Sequence, residues 1–407
     1  MPNYLSPGIY IEEVSTGTKP IGMVGTSTAA FVGIAPAENE RVNEAVACNN
    51  WGEFCKNFVH DDSKSTDLSH AVYSFFKNGG SRCYIVNIGD KGTITGDERA
   101  RSGVCALNTI DEVTIVAAPG FSDDISQKAL LTHCENLKDR FAVLDPPALV
   151  KNIDDLKKLN TDLGKASDVT IGAPEKPKGN DSQGHRPRNS DEGYGAFYFP
   201  WFKSIDALQP KTIVNIPPSG AIAGIYARSD ASRGVHKAPA NELVKGAISL
   251  NYNVSRAEQG ELNRKGVNVI RTFPDGIRVW GARTLADEAS EWRYVPVRRT
   301  CNMIKESIQE GTRWTVFEPN EFMTWKSIER DIGAFLMRVW RDGALQGATP
   351  EQAFFVKCDA ETNPSEVRDA GQLVAEIGIA PVKPAEFIIF RIGQWSGETE
   401  SATSTGA

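Results

Sequence analysis

The stretch VTIVAAPGFSDDISQKALLTHCENLKDRFAVLDPP, residues 113–147, decides the fold class. Residues 113–118 form a short apolar run closed by Pro119-Gly120, and residues 141–144 form a second run closed by Asp145-Pro146-Pro147. Residues 127–137 between them carry apolar side chains at helical spacing. Two apolar strands joined through a helix are typical of a parallel pair, because parallel strands need a long crossover connection.

The same alternation continues on both sides of this stretch. The pattern predicts strands over residues 29–36, 83–88, 194–202 and 267–272, and helices over residues 67–78 and 153–163. Apolar strands that alternate with helices predict an α/β fold with a partly parallel sheet and helices on both faces. Residues 174–192 are rich in Pro, Gly and charge, so they are predicted to form an exposed loop.

The last third of the chain has a pattern of its own. Residues 322–345 form the clearest amphipathic helix of the sequence, with apolar residues spaced by three and four. Two strands are predicted after it, over residues 372–379 and 386–392. In the first of these, Leu373, Ala375, Ile377 and Ile379 share one face. A helix beside a small sheet makes the overall class α+β.

Composition limits the classes of function. The 407 residues carry a formal net charge of −7, which disfavours direct binding of nucleic acid. Seven scattered cysteines, an odd number with no C-x-x-C pair, indicate neither a disulfide framework nor a structural zinc site. No secretory signal and no apolar run long enough to span a membrane is visible, so no direct membrane partner is expected.

No catalytic signature is recognisable. The sequence has no phosphate-binding loop with its lysine, no G-x-S-x-G elbow and no H-E-x-x-H motif, and Pro217-Pro218-Ser219-Gly220 is interpreted as a turn. The five histidines are far apart, and the paired aspartates lie where carboxylates cap helices. The sequence therefore predicts no cofactor, no metal and no enzymatic activity. A triad assembled from distant residues stays open, because sequence order does not constrain one.

Both ends of the chain look extended. Residues 9–14 are rich in strand formers, and flexible segments flank them. A lone strand cannot bury its own faces, so it is either an edge strand of its own domain or a strand donated to a neighbouring molecule. Residues 15–25 and the stretch after residue 392 are predicted to act as hinges, and the small polar tail from residue 396 cannot form a core.

Several stretches, taken in order, resemble the contractile tail sheath proteins of phages and phage-like injection systems. Residues 4–14 are similar to the opening arm of that family, residues 28–36 to its first core strand, and residues 194–201 to its aromatic strand. The most specific likeness lies in residues 219–228 and 233–241, although His236 stands where the family often has tryptophan. Residues 370–387 also fit.

The resemblance implies a middle domain of subtilisin-like α/β fold without a catalytic triad and a C-terminal domain next to an inner tube. It also implies stacked hexameric rings tied together by terminal arms that add strands to neighbouring subunits. The expected division is an N-terminal linking arm (1–25), the first part of the sheath core (26–100), an outer α/β domain (101–290), a C-terminal core domain (291–392) and a C-terminal linking arm (393–407).

These observations lead to a prediction of function. The chain is predicted to be a structural subunit of a contractile sheath that surrounds an inner tube and shortens to drive the tube through a target envelope. Its expected partners are itself, the inner tube protein, baseplate and terminal cap proteins, and sheath paralogues. We expect the chain to be made in the bacterial cytoplasm. It is then expected to form part of a phage tail or of a tail-like particle that can act outside the cell. The alternatives are an α/β hydrolase, a generic shell protein, or a phage virion sheath rather than an injection-system sheath.

Two groups of site residues are predicted. The residues expected to take part in strand exchange between subunits are Ile9, Tyr10, Ile11, Glu12, Val14, Phe387, Ile389 and Trp395. Polar residues of the long C-terminal helix, Lys326, Glu329, Arg330 and Arg341, are either ordinary solvated charges or contacts to the tube.

Overall fold

The computed structural model describes residues 20–160 and 184–387. The predicted N-terminal strand and the end of the helix predicted over 153–163 lie outside these residues. Most of the loop predicted over 174–192 and most of the strand predicted over 386–392 also lie outside them, and the described residues 386–387 are not in a strand.

Fourteen strands are present in the described residues. In chain order they are β1 (Ala29–Gly33), β2 (Ala45–Cys48), β3 (Cys83–Asn87), β4 (Ile115–Ala117), β5 (Phe141–Leu144), β6 (Gly195–Phe199), β7 (Phe202–Ile205), β8 (Ile213–Ile216), β9 (Glu242–Leu243), β10 (Ser249–Leu250), β11 (Val267–Phe273), β12 (Gly276–Val279), β13 (Phe354–Lys357) and β14 (Glu376–Ile379).

The main sheet has the strand order β2-β3-β1-β4-β5-β6-β11-β12-β9. Its centre, β3-β1-β4-β5-β6-β11, is parallel throughout, and β2, β12 and β9 join antiparallel at the two edges. The central strands are buried on both faces, which explains their continuous apolar runs. The predicted partly parallel sheet is thus confirmed. A separate small sheet has the order β10-β7-β8.

The helices in the described residues are α1 (Trp51–Phe58), α2 (Asp67–Asn78), α3 (Asp124–Leu137), α4 (Pro218–Arg233), α5 (Arg256–Arg264), α6 (Val295–Gly311), α7 (Phe322–Arg341), α8 (Pro350–Ala353) and α9 (Ser365–Asp369). Short 3₁₀ helices occupy Gly103–Leu107, Ile153–Lys157 and Arg313–Thr315. None of these helices combines the length and apolar composition needed to cross a bilayer.

Helices cover both faces of the main sheet, as the sequence predicts. One apolar core lies between the sheet and α1, α2 and α4, and a second lies between the sheet and α3 and α5. Helices α2 and α4 pack so closely that a Cβ on Gly220 would lie 2.2 Å from the carbonyl oxygen of Ala71. Glycine at this position lets the two backbones approach each other.

A third core belongs to the C-terminal part of the chain. It is formed by α6, α7 and the inner face of a two-stranded sheet, β13–β14, and it includes Ile21 from the start of the described chain. Helix α7 buries Ile328, Ile332, Phe335 and Val339 along one stripe, as its spacing predicts. A small sheet beside the long helix is therefore present, but its second strand is β13, which was not predicted, and not the strand predicted over 386–392.

Strands on both sides of residue 100 share the main sheet, and the division expected there stays a prediction. Three local expectations are wrong. The strand predicted over 194–202 divides after Phe199, and its second part belongs to the small sheet. The turn predicted at 217–220 is the start of α4, with Pro218 at the first helical position. In the predicted exposed loop, Arg186 and Ser190 are buried.

Candidate functional site

The two-stranded sheet is the element with open strand edges in the C-terminal part. Strands β13 and β14 pair antiparallel from Phe354↔Ile379 to Lys357↔Glu376. Within residues 20–160 and 184–387 the sheet has these two members, so each strand has one edge with no ladder partner there. An open edge presents unpaired N–H and C=O groups to an incoming strand.

The two faces of this sheet differ. Leu373, Ala375, Ile377 and Ile379 pack against the third core, which confirms the face predicted for them. On the outer face Phe355 is 53% exposed, and its ring covers Gly378, where a Cβ would lie 2.1 Å from ring carbon Cε1. The sheet is thus fixed on one side and accessible on the other.

The first described residues of the chain pack against the C-terminal helices α6 and α7. Ile21 is buried against Gly311 at the end of α6, and its carbonyl oxygen accepts a hydrogen bond from Arg338 of α7. The backbone N–H of Val24 donates to Ser307 Oγ at 3.1 Å. The hinge predicted over 15–25 is therefore wrong for the part that is described, since residues 21–24 are held in place.

The charged residues predicted to face a tube lie on the outer side of α7. Lys326 pairs with Glu329 at 2.5 Å, and Arg330 pairs with the neighbouring Asp331 at 3.0 Å. Arg341 is exposed in the last turn. These residues share one helix surface, opposite the buried stripe. Whether a tube contacts them stays a prediction.

The residues predicted for strand exchange fall mostly outside the described ranges. Ile9, Tyr10, Ile11, Glu12, Val14, Ile389 and Trp395 are among those not described. Phe387 is described, and it is 72% exposed at the point where the described chain ends. Strand exchange by these residues stays a prediction.

A buried polar pair at the carboxyl edge of the parallel sheet was missed at the sequence level. Ser219 Oγ donates to Asp145 Oδ2 at 2.6 Å, and the N–H groups of Ser219 and Gly120 also donate to this carboxylate. Both side chains are buried, and burial raises the pKa of Asp145 to about 7. An acidic residue directly after a buried strand is the signal that could have pointed to this edge.

This pair is arranged for structure rather than for nucleophilic catalysis. In the part of the chain that is described, the carboxylate bonds directly to the serine, and no histidine bonds to either side chain. An inaccessible Ser219 cannot meet a substrate, and the triad mechanism needs a base between serine and acid. Asp145 instead satisfies an orphan N–H at the start of α4, as a capping carboxylate does.

No candidate metal centre is found in residues 20–160 and 184–387, where no group of three His, Cys, Asp or Glu residues is placed to hold an ion. The features left to explain are the open-edged sheet, the anchored segment at residues 21–24 and the charged face of α7. All three are suited to contacts with other polypeptides, so the class that fold and site define is a structural, interaction-forming protein.

Comparison with known proteins agrees with this class. Residues 104–285 match the phage tail sheath protein central domain, and residues 287–394 match the phage tail sheath C-terminal domain. The chain therefore belongs to the phage tail sheath family. The hydrolase alternative has no support from this membership or from the buried Ser219–Asp145 pair.

Phage relatives match part of the chain. The tail sheath protein of Vibrio phage KVP40 is 29% identical over 195 residues, which cover 47% of this chain and 28% of the phage protein. The tail sheath protein of Escherichia phage P2 is 27% identical over 199 residues, which cover 47% of this chain and 48% of that protein. The chain thus spans between about a quarter and a half of the length of these relatives.

Solved sheath structures match over almost the whole chain. The sheath of PVC, an extracellular contractile injection system, in its contracted state has a TM-score of 0.74 and 31% identity, with 97% of this chain and 99% of that chain covered. The contracted helical sheath of the anti-feeding prophage has a TM-score of 0.70 and 28% identity, with 96% and 99% covered.

Proposed function

We propose that this chain is the structural subunit of a contractile sheath, assembled as stacked hexameric rings around an inner tube. The observation that carries the proposal is the likeness to the contracted PVC sheath, at 31% identity over 97% of the chain. In this proposal the sheath shortens and drives the tube through a target envelope. The baseplate, a terminal cap and sheath paralogues are its further partners.

An injection-system sheath is favoured over a phage virion sheath. The injection-system sheaths align with 99% of their own length, whereas the phage KVP40 protein aligns over 28% of its length. In this proposal the chain is made in the bacterial cytoplasm and acts within the assembled particle, without a direct nucleic-acid or membrane partner. It has no catalytic role.

Strand exchange is the proposed link between subunits. Residues Ile9, Tyr10, Ile11, Glu12 and Val14 of one copy, and the segment of another that holds Phe387, Ile389 and Trp395, add strands to the open edges of β13–β14. Each added strand forms about four to six ladder bonds, each worth about 1 kcal/mol net. One joint is therefore weak, and repetition along the lattice makes the assembly durable.

Contraction needs no nucleotide in this mechanism. The extended lattice is metastable, and the folded bodies rotate into a shorter, wider lattice while the strand pairs persist. The sequence offers no phosphate-binding loop with its lysine, which supports a stored-energy device. Contraction of purified particles that depended on added ATP would overturn this part of the proposal.

A truncation tests the assembly mechanism. A chain lacking residues 1–18 retains Ile21 and both packed sheet strands, so we expect a folded monomer with the thermal midpoint of the full chain. It should form no sheaths in electron micrographs. Normal tubes from the truncated chain would exclude donation of the N-terminal strand, and closed shells from the full chain would favour a shell protein instead.

The tube contact has a separate test. Reversal of charge at Lys326 and Arg330 should weaken binding to the tube if the exposed face of α7 meets it, with little effect on folding. Reversal at Lys151 and Lys211, exposed residues of the central part, is the matched control. Tube binding that is unchanged by the α7 reversal would assign Lys326, Glu329, Arg330 and Arg341 to solvent.

A further inference from the structure

The chain leaves the small sheet along a defined path. After β14, the N–H of Ala380 donates to Ala353 at 2.9 Å, and the N–H of Val382 donates to Ala344 at 3.1 Å. The bond from Val382 to Ala344 is the last backbone hydrogen bond in the described residues that holds the C-terminal segment. The segment then crosses to the central part of the protein, where Glu386 makes side-chain contacts.

Four donors meet at the carboxylate of Glu386. Arg283 binds it from Nε at 2.9 Å and from Nη2 at 2.7 Å. Asn263, in the last turn of α5, donates at 2.5 Å, and the hydroxyl of Tyr294 donates at 3.3 Å. One side chain near the end of the described chain therefore contacts α5, the segment after β12 and the residue that precedes α6.

The electrostatics make this contact specific. Arg283 is 4% exposed, and its Nη1 donates to the carbonyl oxygen of Asn263 at 3.0 Å. The other carboxylate near Arg283 is Glu288, at 3.8 Å. Burial by itself would raise the pKa of Glu386, but the hydrogen bonds from Arg283 and Asn263 leave that pKa below its usual value. The pair is thus a charged, two-bond contact with a buried guanidinium.

We propose that Glu386 is a positioning residue, which fixes the point on the central part of the protein from which the C-terminal segment leaves towards a neighbouring copy. This inference rests on the proposed strand exchange. Without the contact, the chain would be free from Val382 onward. Four more residues would then be loose, which amounts to about 13 Å of additional reach at the extended rise per residue.

A fixed exit point matters for strand addition. A strand that pairs one residue out of register presents its side chains to the wrong face. A longer loose tether also lowers the effective concentration of the strand at its acceptor. The Arg283–Glu386 pair therefore acts on the register and the yield of assembly, although neither residue belongs to the exchanged ladder in this proposal.

Hydrogen exchange on the unassembled full chain tests the anchor directly. In Glu386→Gln the charge is lost, and we expect opening at the N–H of Val382, which donates to Ala344 just before the anchor, to increase about tenfold or more, as charge-assisted bonds to carboxylates imply. Glu366→Gln, at an exposed glutamate of α9, is the matched control and should leave exchange there unchanged. Unchanged exchange in Glu386→Gln would overturn the proposal.

Assembly is the second readout. We expect Glu386→Gln to fold and to lower the yield of ordered sheath about tenfold or more, with Glu386→Asp recovering part of it because the charge is retained. If Glu386→Gln fails to fold, Arg283→Lys, which keeps the charge but loses the two-bond geometry, takes its place. Faster exchange with a normal sheath yield would overturn the positioning role. A wild-type chain that never polymerises would instead overturn the proposed function.

Discussion

Arg299 of α6 and Asp230 of α4 form a buried, two-bond ion pair, with distances of 2.6 and 3.0 Å between guanidinium nitrogens and carboxylate oxygens. Both side chains are about 95% buried, at 4% and 5% exposure. Thr26 joins them, since its hydroxyl donates to Asp230 at 2.6 Å and its carbonyl oxygen accepts from Arg299 at 2.8 Å. The pair therefore ties the first described segment, the central helix layer and the C-terminal helices together.

Removal of one member of this pair should destabilise the monomer strongly. Arg299→Ala leaves the Asp230 carboxylate buried without its cation, and we expect a loss of about 3–5 kcal/mol in the free energy of unfolding. Chemical denaturation measures it. Lys326→Ala, which removes a largely exposed pair with Glu329, is the control and should cost less than about 1 kcal/mol. Equal losses for both variants would show that the buried pair has no special role.

The contact between Phe355 and Gly378 predicts a coupled effect. A side chain at 378 would collide with the ring, so Gly378→Val should cost about 1–3 kcal/mol. In the double variant with Phe355→Ala the collision disappears, and part of that cost should be recovered. A double-mutant cycle by thermal denaturation measures this coupling. Additive losses would mean that the ring does not lie over the glycine.

His133 should make the protein sensitive to acid. Burial, reinforced by the guanidinium of Arg140, lowers the pKa of His133 from 6.5 to about 4. The neutral form is favoured by folding, so this contribution is complete above pH 6.5 and is lost as the pH falls towards 4. A shift of this size corresponds to about 3 kcal/mol. Stability measured across this range should fall less steeply in His133→Gln than in the wild type.

The Asp145 carboxyl changes stability in the opposite direction across the same pH range. Its pKa is raised from 3.8 to about 7, so its contribution is complete below pH 3.8 and is lost as the pH rises through about 7. The pH dependence of wild-type stability is therefore the sum of the two contributions. The difference in stability between the wild type and His133→Gln at each pH isolates the contribution of the histidine. A pH dependence of stability in His133→Gln that equals that of the wild type would contradict the assignment.

Ser219 should behave as a structural residue. Ser219→Ala removes a buried hydrogen bond to Asp145, and we expect a loss of about 1–3 kcal/mol in the free energy of unfolding. A fluorophosphonate probe should leave the folded wild-type chain unlabelled while it labels a serine hydrolase in the same tube. Labelling that disappears in Ser219→Ala would revive the enzyme hypothesis.

The local sequence pattern was sufficient to predict a helix or strand where a single apolar periodicity or an apolar run extended over the whole element. The spacing in α2 and α7 and the apolar runs of β1, β3 and β5 predicted these elements within a few residues. The local pattern gave a wrong prediction at Pro218, because two prolines and a glycine indicate a turn. The structure has the start of α4 there, and its close approach to α2 is a tertiary contact that a local pattern does not show.

The long-range polar contacts were harder to predict because they join distant parts of the chain. Arg299 and Asp230 are 69 residues apart, and Arg283 and Glu386 are 103 apart. Periodicity in a single sequence carries no signal for such pairs. The polar composition of residues 184–192 predicts a solvated loop for the same reason, yet Arg186 donates to the carbonyl oxygen of Lys265 at 2.6 Å.

A structure of the assembled particle by electron cryomicroscopy tests strand exchange most directly. We predict that residues 9–14 of one copy and the C-terminal segment of another flank β13–β14 of a third, which completes a four-stranded sheet. A map in which both ends of each chain pair with their own protomer, with no strand shared between copies, would contradict the proposed assembly.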